Sequence, residues 1–279
     1  MGIQNMSMSS DWTYRYFVEK AELFRVIMDS KDMILRGQRL ASAIASYLRE
    51  YGLEKARILD VGCGTGRIAI PLAKLGFEVV GIDISPRFIE IASQRAKEHG
   101  VEDRVKFIVC DARVMNRCLA TFQPFDVVLF VWSTVLGYYD VETDIQVLKA
   151  ASAVSSPNAL LIIADTASKD FISFLSNFVG GFRWYVEYDE HVVIESPIYN
   201  PTTGELLTKI LFYKKEKNRD LKFLGEAHFK IRLYTLDELI SIAKQAGWCF
   251  QEALRSFLNR EPYRTLGALN VVLRKCSEG

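Results

Sequence analysis

Apolar positions recur with two different periods along the chain. In the first 54 residues they recur at helical spacing, which predicts helices over 11–29 and 32–51 behind a frayed tail, residues 1–10. From residue 55 onward, short apolar runs alternate with segments of helical period, which predicts a doubly wound, mostly parallel sheet with helices on both faces. The predicted strands are 57–61, 78–82, 105–109, 126–131 and 159–164, and the predicted helices are 66–75, 86–99 and 143–154.

The pattern changes after residue 165. An aromatic-rich helix is predicted over 169–179, and three runs after it, 183–195, 205–216 and 222–234, have a strand-like pattern without a helical period. His228, Lys230 and Arg232 alternate with apolar residues, which is typical of an antiparallel sheet with one solvated face. Turns are indicated at 200–204 and 218–220, so the three runs predict an antiparallel β insertion.

The remainder of the chain returns to the α/β pattern. Thr235 is expected to cap a helix over 236–246, and strands are predicted at 248–257 and 267–274. The predicted organisation is an N-terminal helical cap (1–54), an α/β domain (55–165 and 235–279) and an inserted antiparallel subdomain (166–234) that covers the acceptor.

Three glycines at alternating positions follow the first predicted strand. In Asp60-Val61-Gly62-Cys63-Gly64-Thr65-Gly66 they stand where a strand turns into a helix, and glycine there permits a tight turn and a close approach of backbone to ligand. A dinucleotide site would need its third glycine at position 67, which is an arginine. The loop therefore indicates a ligand without a pyrophosphate group.

Four segments, in order, resemble one known family. The glycine loop, with Leu59 ahead of it, is similar to the first motif of the class I S-adenosylmethionine-dependent methyltransferases. Residues 79–83, 107–111 and 125–130 resemble that family's second, third and fourth strands. The resemblance implies a seven-stranded Rossmann-like sheet that ends in a hairpin, with one strand antiparallel to the rest. It also implies S-adenosyl-L-methionine as the cofactor.

Three acids lie where such a sheet binds its ligand, at the carboxyl ends of strands. Asp83, 21 positions after Gly62, is expected to accept hydrogen bonds from the ribose hydroxyls; alternatively it only caps the next helix, a role that Ser85 suits better. Asp111 is expected to accept from the adenine amino group, or to be a plain turn aspartate. By the resemblance, Asp60 orders the loop near the methionyl amino group. The predicted cofactor-binding residues are Asp60, Gly62, Cys63, Gly64, Gly66, Asp83, Ile84, Asp111, Ala112 and Phe130.

Candidates for the acceptor pocket follow the fourth strand. Trp132, Ser133 and Tyr138 lie where the activated methyl group would emerge, although aromatic residues after a core strand are as often plain packing. His228 is a further candidate, with an exposed or structural histidine as the alternative. The segment lacks the Asn-Pro-Pro-Tyr-like and Pro-Cys motifs of two base- or amide-methylating subclasses. No catalytic residue is assigned.

Composition limits the classes of molecule that the acceptor can belong to. The chain has 279 residues, with 35 basic against 34 acidic residues and a net charge of +1, so a nucleic-acid partner is not favoured. The basic run 214–222 is interpreted as a solvated hairpin tip. Five scattered cysteines without a C-x-x-C pair indicate neither a metal site nor a disulfide framework. We find neither an apolar signal region nor an apolar stretch long enough for a membrane span, and we expect a cytoplasmic protein.

The leading hypothesis is a methyltransferase that acts on a nitrogen or oxygen atom of a small molecule. The arrangement of cap and insertion is similar to that of glycine and amino-sugar N-methyltransferases. Three alternatives are an RNA or protein methyltransferase, a non-methylating relative such as an aminopropyl transferase, and a regulatory protein with a degenerate site. The intact glycine loop and the two acids Asp83 and Asp111 count against the last alternative.

Overall fold

A seven-stranded sheet forms the centre of the protein in a computed structural model that describes residues 12–179, 182–218 and 220–277. Its strand order is β10-β11-β5-β4-β1-β2-β3. The bounds are β1 Arg57–Val61, β2 Glu78–Asp83, β3 Val105–Val109, β4 Phe125–Val131, β5 Ser155–Thr166, β10 Trp248–Leu254 and β11 Leu269–Lys275. β1 to β5 are parallel, whereas β11 is antiparallel to both β5 and β10, so the predicted sheet and its closing hairpin are confirmed.

The sheet is covered on both faces, which explains why its central strands have nearly continuous apolar runs. In β4 the side chains of Val127 and Leu129 pack into one buried cluster, and those of Val128 and Phe130 pack into the other. The helices are α1 Trp12–Tyr14, α2 Ala21–Met28, α3 Lys31–Glu50, α4 Ala69–Lys74, α5 Pro86–Glu98, α6 Met115–Cys118, α7 Val141–Ala153, α8 Lys169–Val179 and α9 Leu236–Gln245. α9 begins with the expected cap, because Thr235 and Glu238 form a capping box.

Two predicted helices differ from the observed ones. The helix expected over 11–29 is α1, a π-helical turn (Arg15–Glu19) and α2, and within the wide turn the adjacent residues Tyr16 and Phe17 both face one cavity. The helix expected from residue 66 begins only at Ala69. Pro71 therefore lies in the first turn, where a missing N–H costs no helical hydrogen bond, and it does not kink the helix. The predicted tail, residues 1–10, lies outside the described residues.

A second, four-stranded sheet, here called the lid sheet, lies within the predicted insertion. It is antiparallel, with the order β6 Trp184–Tyr188, β7 His191–Asn200, β8 Glu205–Lys215 and β9 Leu221–Arg232. The first of the three predicted runs is two strands, because Asp189 adopts a positive φ of 52° and forms a tight turn with Glu190. Aspartate tolerates this conformation better than most residues do, but Asp-Glu is a much weaker sequence signal for a hairpin turn than Asn-Gly or Asp-Gly.

The cysteine interpretation was wrong. Disulfides join Cys110 to Cys118 and Cys249 to Cys276, and Cys63 is a buried free thiol. Cys249 and Cys276 meet because β10 and β11 pair, with Trp248 opposite Lys275, and this register is a tertiary property that cysteine spacing does not reveal. Within the described residues, no helix combines the length and the apolar character that crossing a membrane requires.

Candidate active site

A cavity of about 260 Å³ lies beyond the carboxyl ends of β1, β2, β3 and β4. Most of the predicted cofactor residues and the segment after β4 line one part of it, and the N-terminal helices and the lid sheet line the other. We call these the cofactor end and the acceptor end. The cofactor end contains Asp60, Gly62, Cys63, Gly64, Asp83, Ile84, Asp111 and Ala112, and the acceptor end contains Trp12, Tyr16, Phe17, Trp184, Glu195, Ile210 and Phe229.

The glycine loop is held in a tight turn at the cofactor end. The N–H groups of Gly62 and Cys63 both donate to the carbonyl oxygen of Ile82, at 2.7 and 2.9 Å. Gly62 has a φ of +70°, and a Cβ atom there would stand 1.9 Å from the Cγ2 atom of Thr134. Glycine is therefore required at position 62 both for the backbone conformation and for the close packing of the loop against the segment after β4.

Asp83 receives its hydrogen bonds from the loop it faces. Its Oδ2 atom accepts from the Gly64 N–H and its Oδ1 atom from the Ser85 N–H, both at 2.9 Å. Burial raises the pKa of Asp83 to about 6, and the backbone N–H groups oppose that rise. The side chain of Ser85 caps α5 by accepting from Phe88, so Asp83 is not the helix cap. Each carboxylate oxygen keeps a lone pair that can accept from a ribose hydroxyl.

Asp60 lines the cavity and has an unsatisfied carboxylate oxygen. It is 2% exposed, and within the described residues its Oδ2 atom has no hydrogen-bond partner. Burial raises the pKa of Asp60 to about 7, with Arg67 lowering it and the charge of Asp83 raising it. A buried carboxylate oxygen without a partner is costly, and a ligand's ammonium group would satisfy it. These residues therefore fit a cofactor with a ribose and a charged amino group.

Asp111 lies at the cavity but also has a local role. It caps a short 3-10 helix by accepting from the Arg113 N–H at 2.9 Å, and it forms an ion pair with the Arg113 guanidinium at 2.6 Å. Cys110 and Ala112 line the same part of the cavity. The turn role is thus present in the structure, and the contact with adenine stays a prediction.

The structure does not bring three of the predicted residues to the cavity wall. Gly66 packs inward, since a Cβ atom there would meet Ile70 and Phe107. Phe130 is 1% exposed and belongs to the core under the cavity. His228 is exposed, on the opposite face of β9 from Phe229, because side chains alternate along a strand. The hypothesis that His228 faces the acceptor is corrected by this placement.

The segment after β4 reaches the cavity in a strained conformation. Trp132, Ser133 and Val135 have positive φ values of 66°, 53° and 65°. Trp132, Ser133 and Tyr138 all line the cavity, as expected, although the Ser133 hydroxyl is engaged by the Ala167 N–H at 3.0 Å. Tyr138 stacks on Phe17 with ring centroids 5.6 Å apart.

Sequence reasoning missed most of the acceptor end. Trp12, Tyr16 and Phe17 come from the N-terminal helical segment, which was predicted only as a cap. Glu195 follows Val192, Val193 and Ile194. This single acidic residue after an apolar run was the sequence feature that could have indicated a functional carboxylate.

The Methyltransferase domain family model matches residues 53–222. YqeM of Bacillus subtilis (strain 168) is described as a methyltransferase. It is 34% identical over 219 residues, which cover 75% of this chain and 80% of YqeM. The tRNA 5-carboxymethoxyuridine methyltransferase of Escherichia coli (strain K12) is 38% identical over 117 residues, covering 42% of this chain and 44% of that relative. This chain thus matches less than half the length of the Escherichia coli enzyme.

Two solved structures share the fold. An S-adenosylmethionine-dependent methyltransferase from Clostridium acetobutylicum ATCC 824 has a TM-score of 0.72 at 16% identity, covering 86% of this chain and 92% of its own. CalS10 is an amino pentose methyltransferase from Micromonospora echinaspora that was solved with S-adenosylmethionine bound. It has a TM-score of 0.62 at 18% identity, and the match covers 84% of this chain and 89% of CalS10.

The chain belongs to the methyltransferase domain family, because the family model covers more than half of it. The family model, the match to YqeM and the shared fold together show a domain of the S-adenosylmethionine-dependent methyltransferase type. When bound, the cofactor supplies a methyl group already attached to a sulfonium leaving group. Asp60 and Asp83 are the residues whose free acceptor capacity fits it best. Family membership also counts against the hypothesis of a non-methylating relative.

Proposed function

We propose that this enzyme transfers the methyl group to a nitrogen or oxygen atom of a small-molecule acceptor. The observation that carries the proposal is the wall of the acceptor end, where aromatic side chains from the N-terminal helices meet the apolar face of the lid sheet. Tyr16, for example, stacks on Phe229 with ring centroids 6.3 Å apart. A mostly apolar cavity with few polar groups is typical of a small-molecule site.

We assign different tasks to the parts of the chain. Residues 12–54 and the described part of 166–234 form the cap and lid that exclude water and align the acceptor, and the α/β domain holds the cofactor. The cap contacts the lid sheet directly, since the Lys20 ammonium donates to the Glu226 carbonyl oxygen at 2.6 Å. Alignment and exclusion of water can account for ~7–11 kcal/mol of barrier lowering, so a dedicated base is not required for a neutral amine.

A labelling experiment tests the proposal. Fractionated metabolites, total RNA and cell protein are each incubated with the enzyme and methyl-labelled S-adenosylmethionine, and the products are identified by mass analysis. We expect label in a low-molecular-mass product, and much less label with Asp83→Asn at a cofactor concentration near the wild-type Kd, because this change removes a charged acceptor at the cofactor end. Label confined to RNA or protein would contradict the small-molecule assignment.

A second candidate is a tRNA methyltransferase, which the named activity of the Escherichia coli relative supports. Electrostatics favours the small molecule. Nucleic-acid affinity depends on neutralising phosphates, and this chain has 35 basic against 34 acidic residues. In the basic run, Lys214 pairs with Glu190 of the turn between β6 and β7, and Lys215 pairs with Glu187 of β6. Submicromolar binding to total RNA with a steep salt dependence would favour the RNA acceptor.

A further inference from the structure

One carboxylate lies on the apolar inner face of the lid sheet. Glu195 of β7 pairs with Trp184 on one side and with Ile210 on the other, and Ile210 in turn pairs with Ala227. Trp184, Glu195 and Ile210 all line the acceptor end. Across the residues that the structure describes, the Glu195 carboxylate accepts no hydrogen bond and forms no ion pair. It is therefore an acid in an apolar row, aimed at the cavity without a partner.

A second polar group on the same face also lacks a partner. Thr208 is 3% exposed, and its hydroxyl finds no hydrogen-bond partner among the described residues. It pairs with Pro197 on β7, two positions beyond Glu195, so the two side chains are diagonal neighbours on the inner face. Buried polar groups are nearly always satisfied in native proteins, so the Thr208 hydroxyl is a second unpartnered polar group beside Glu195, although Thr208 itself does not line the cavity.

The charged residues around the cavity indicate whether the acceptor is a cation or an anion. Asp60, Asp83 and Asp111 belong to the cofactor end. The positively charged lining residue in the described chain is Arg67, which donates to the Met33 carbonyl oxygen at 3.1 Å and lies 5.4 Å from the Trp132 ring centroid. Arg67 keeps an Nε atom without a hydrogen-bond partner among the described residues, but its charge acts at the cofactor end, where it lowers the pKa of Asp60. Among the described residues no cation contributes to the pKa of Glu195, so an anionic acceptor would meet that carboxylate without a cation beside it.

The groups that face Glu195 are phenols and aromatic rings. The charge of Glu195, after burial, raises the pKa of Tyr16 from the cap and of Tyr188 from β6. Burial alone raises the pKa of Glu195 to about 7, because no neighbouring cation stabilises its charged form. A cation that enters this end would meet a carboxylate and the negative faces of aromatic rings together.

We propose that the acceptor is an amine that binds as its ammonium ion, with Glu195 as its counter-ion and the aromatic rings of the acceptor end around it. This inference rests on the proposed function and makes it more specific, since it selects nitrogen over oxygen. The Glu195 carboxylate offers two acceptor oxygens to the N–H groups of such an ammonium ion.

Glu195 also gives the proton of that amine a destination. An ammonium nitrogen has no lone pair, so one N–H bond must break before methylation. The proton moves to a carboxylate oxygen of Glu195, and the electron pair of the broken bond stays on nitrogen. That pair forms the new N–C bond as the C–S bond breaks, and the sulfur atom keeps the electrons of the C–S bond.

Binding of three matched probes tests the inference independently of turnover. Benzylamine, benzyl alcohol and benzoate are titrated by calorimetry into the full-length protein saturated with S-adenosylhomocysteine. We expect benzylamine to bind at least about tenfold more tightly than benzyl alcohol, and benzoate to bind most weakly, because a charge-assisted hydrogen bond in an apolar site discriminates by about that factor. Glu195→Gln should abolish the preference, and Glu195→Asp should retain part of it. Glu187→Gln is the matched control, because Glu187 is an exposed glutamate on β6 of the same sheet.

The possible results separate this inference from the proposed function. Equal binding of amine and alcohol, no measurable binding of benzylamine, or an unchanged preference in Glu195→Gln would overturn the inference. So would a labelled product that is a methyl ether or ester in the experiment on metabolite extracts, although the proposed function would then stand. A protein that labels no small molecule would instead contradict the proposed function.

Discussion

Replacing Asp83 by asparagine tests the cofactor end most directly. The change keeps the shape of the side chain but removes its charge, and it turns one acceptor oxygen into an NH2 donor. Both Asp83 oxygens accept backbone N–H groups, from Gly64 and Ser85, so one buried N–H would face another donor. Losing that partner costs ~1–3 kcal/mol of folding free energy.

A second effect opposes this loss. The pKa of Asp83 is raised from 3.8 to about 6, so its ionised form is disfavoured by folding, by roughly 3 kcal/mol at neutral pH. Removing the charge relieves that penalty. Because the two effects have similar size and opposite sign, the unliganded Asp83→Asn protein should unfold near the wild-type temperature.

Cofactor affinity has no such compensation. The carboxylate is expected to accept from the ribose hydroxyls, and losing one charge-assisted hydrogen bond costs ~1.5–3 kcal/mol. We expect calorimetry to show S-adenosylmethionine binding weaker by about ten- to hundredfold. Asp103→Asn, the same change at an exposed turn before β3, is the control and should match wild type. Unchanged affinity in a folded Asp83→Asn protein would refute the ribose assignment.

Three further predictions concern the surroundings of the cavity. Gly62→Ala should destabilise the protein more than Gly52→Ala, because both glycines have φ near +70° but only a Cβ atom at position 62 would clash with Thr134. Denaturant titration measures the difference in unfolding free energy between the two variants. Thr134→Ser, which removes the clashing methyl group, should reduce that difference. Tyr234→Phe should cost ~1.5–3 kcal/mol of unfolding free energy, because the buried Asp144 carboxylate loses a hydrogen bond of 2.5 Å; an unchanged urea midpoint would contradict this. The raised pKa values of Asp60 and Asp83 predict that the unliganded protein becomes more stable as the pH falls from about 7 towards 4, because the folded state binds protons at a higher pH than the unfolded state does. Cofactor binding should weaken over the same range, because the two carboxylates lose their charge. Melting temperatures that fall, or cofactor affinities that rise, as the pH is lowered would contradict this prediction.

The order of elements was predictable because each depends on a local period. Residues 57–61 and 169–179 were predicted with the observed bounds, since one is a buried apolar run and the other has helical spacing. The turn at Asp189 was missed, because a positive φ at aspartate depends on the pairing of β6 with β7. The pairing of Cys249 with Cys276 similarly depends on hairpin register.

The cofactor end was more predictable than the acceptor end for a physical reason. The cofactor end is built from residues adjacent to strand ends, such as Gly62 and Asp83, so local motifs already place them together. Tyr16 and Glu195 meet at the acceptor end across about 180 residues of chain, because the cap packs on the lid sheet. No local pattern contains that packing.

The segment after β4 connects the two ends, and its strain is informative. Residues with positive φ that are not glycine cost of order 1–3 kcal/mol each and persist only where surrounding contacts hold them. Here the Ser133 hydroxyl accepts from the Ala167 N–H, and the Gly137 carbonyl oxygen accepts a 2.7 Å hydrogen bond from the Arg232 N–H at the end of the lid sheet. Thr134 meanwhile packs against Gly62 of the cofactor loop. One short segment therefore contacts the glycine loop, the cavity and the lid sheet, and its strained backbone joins the cofactor end to the acceptor end.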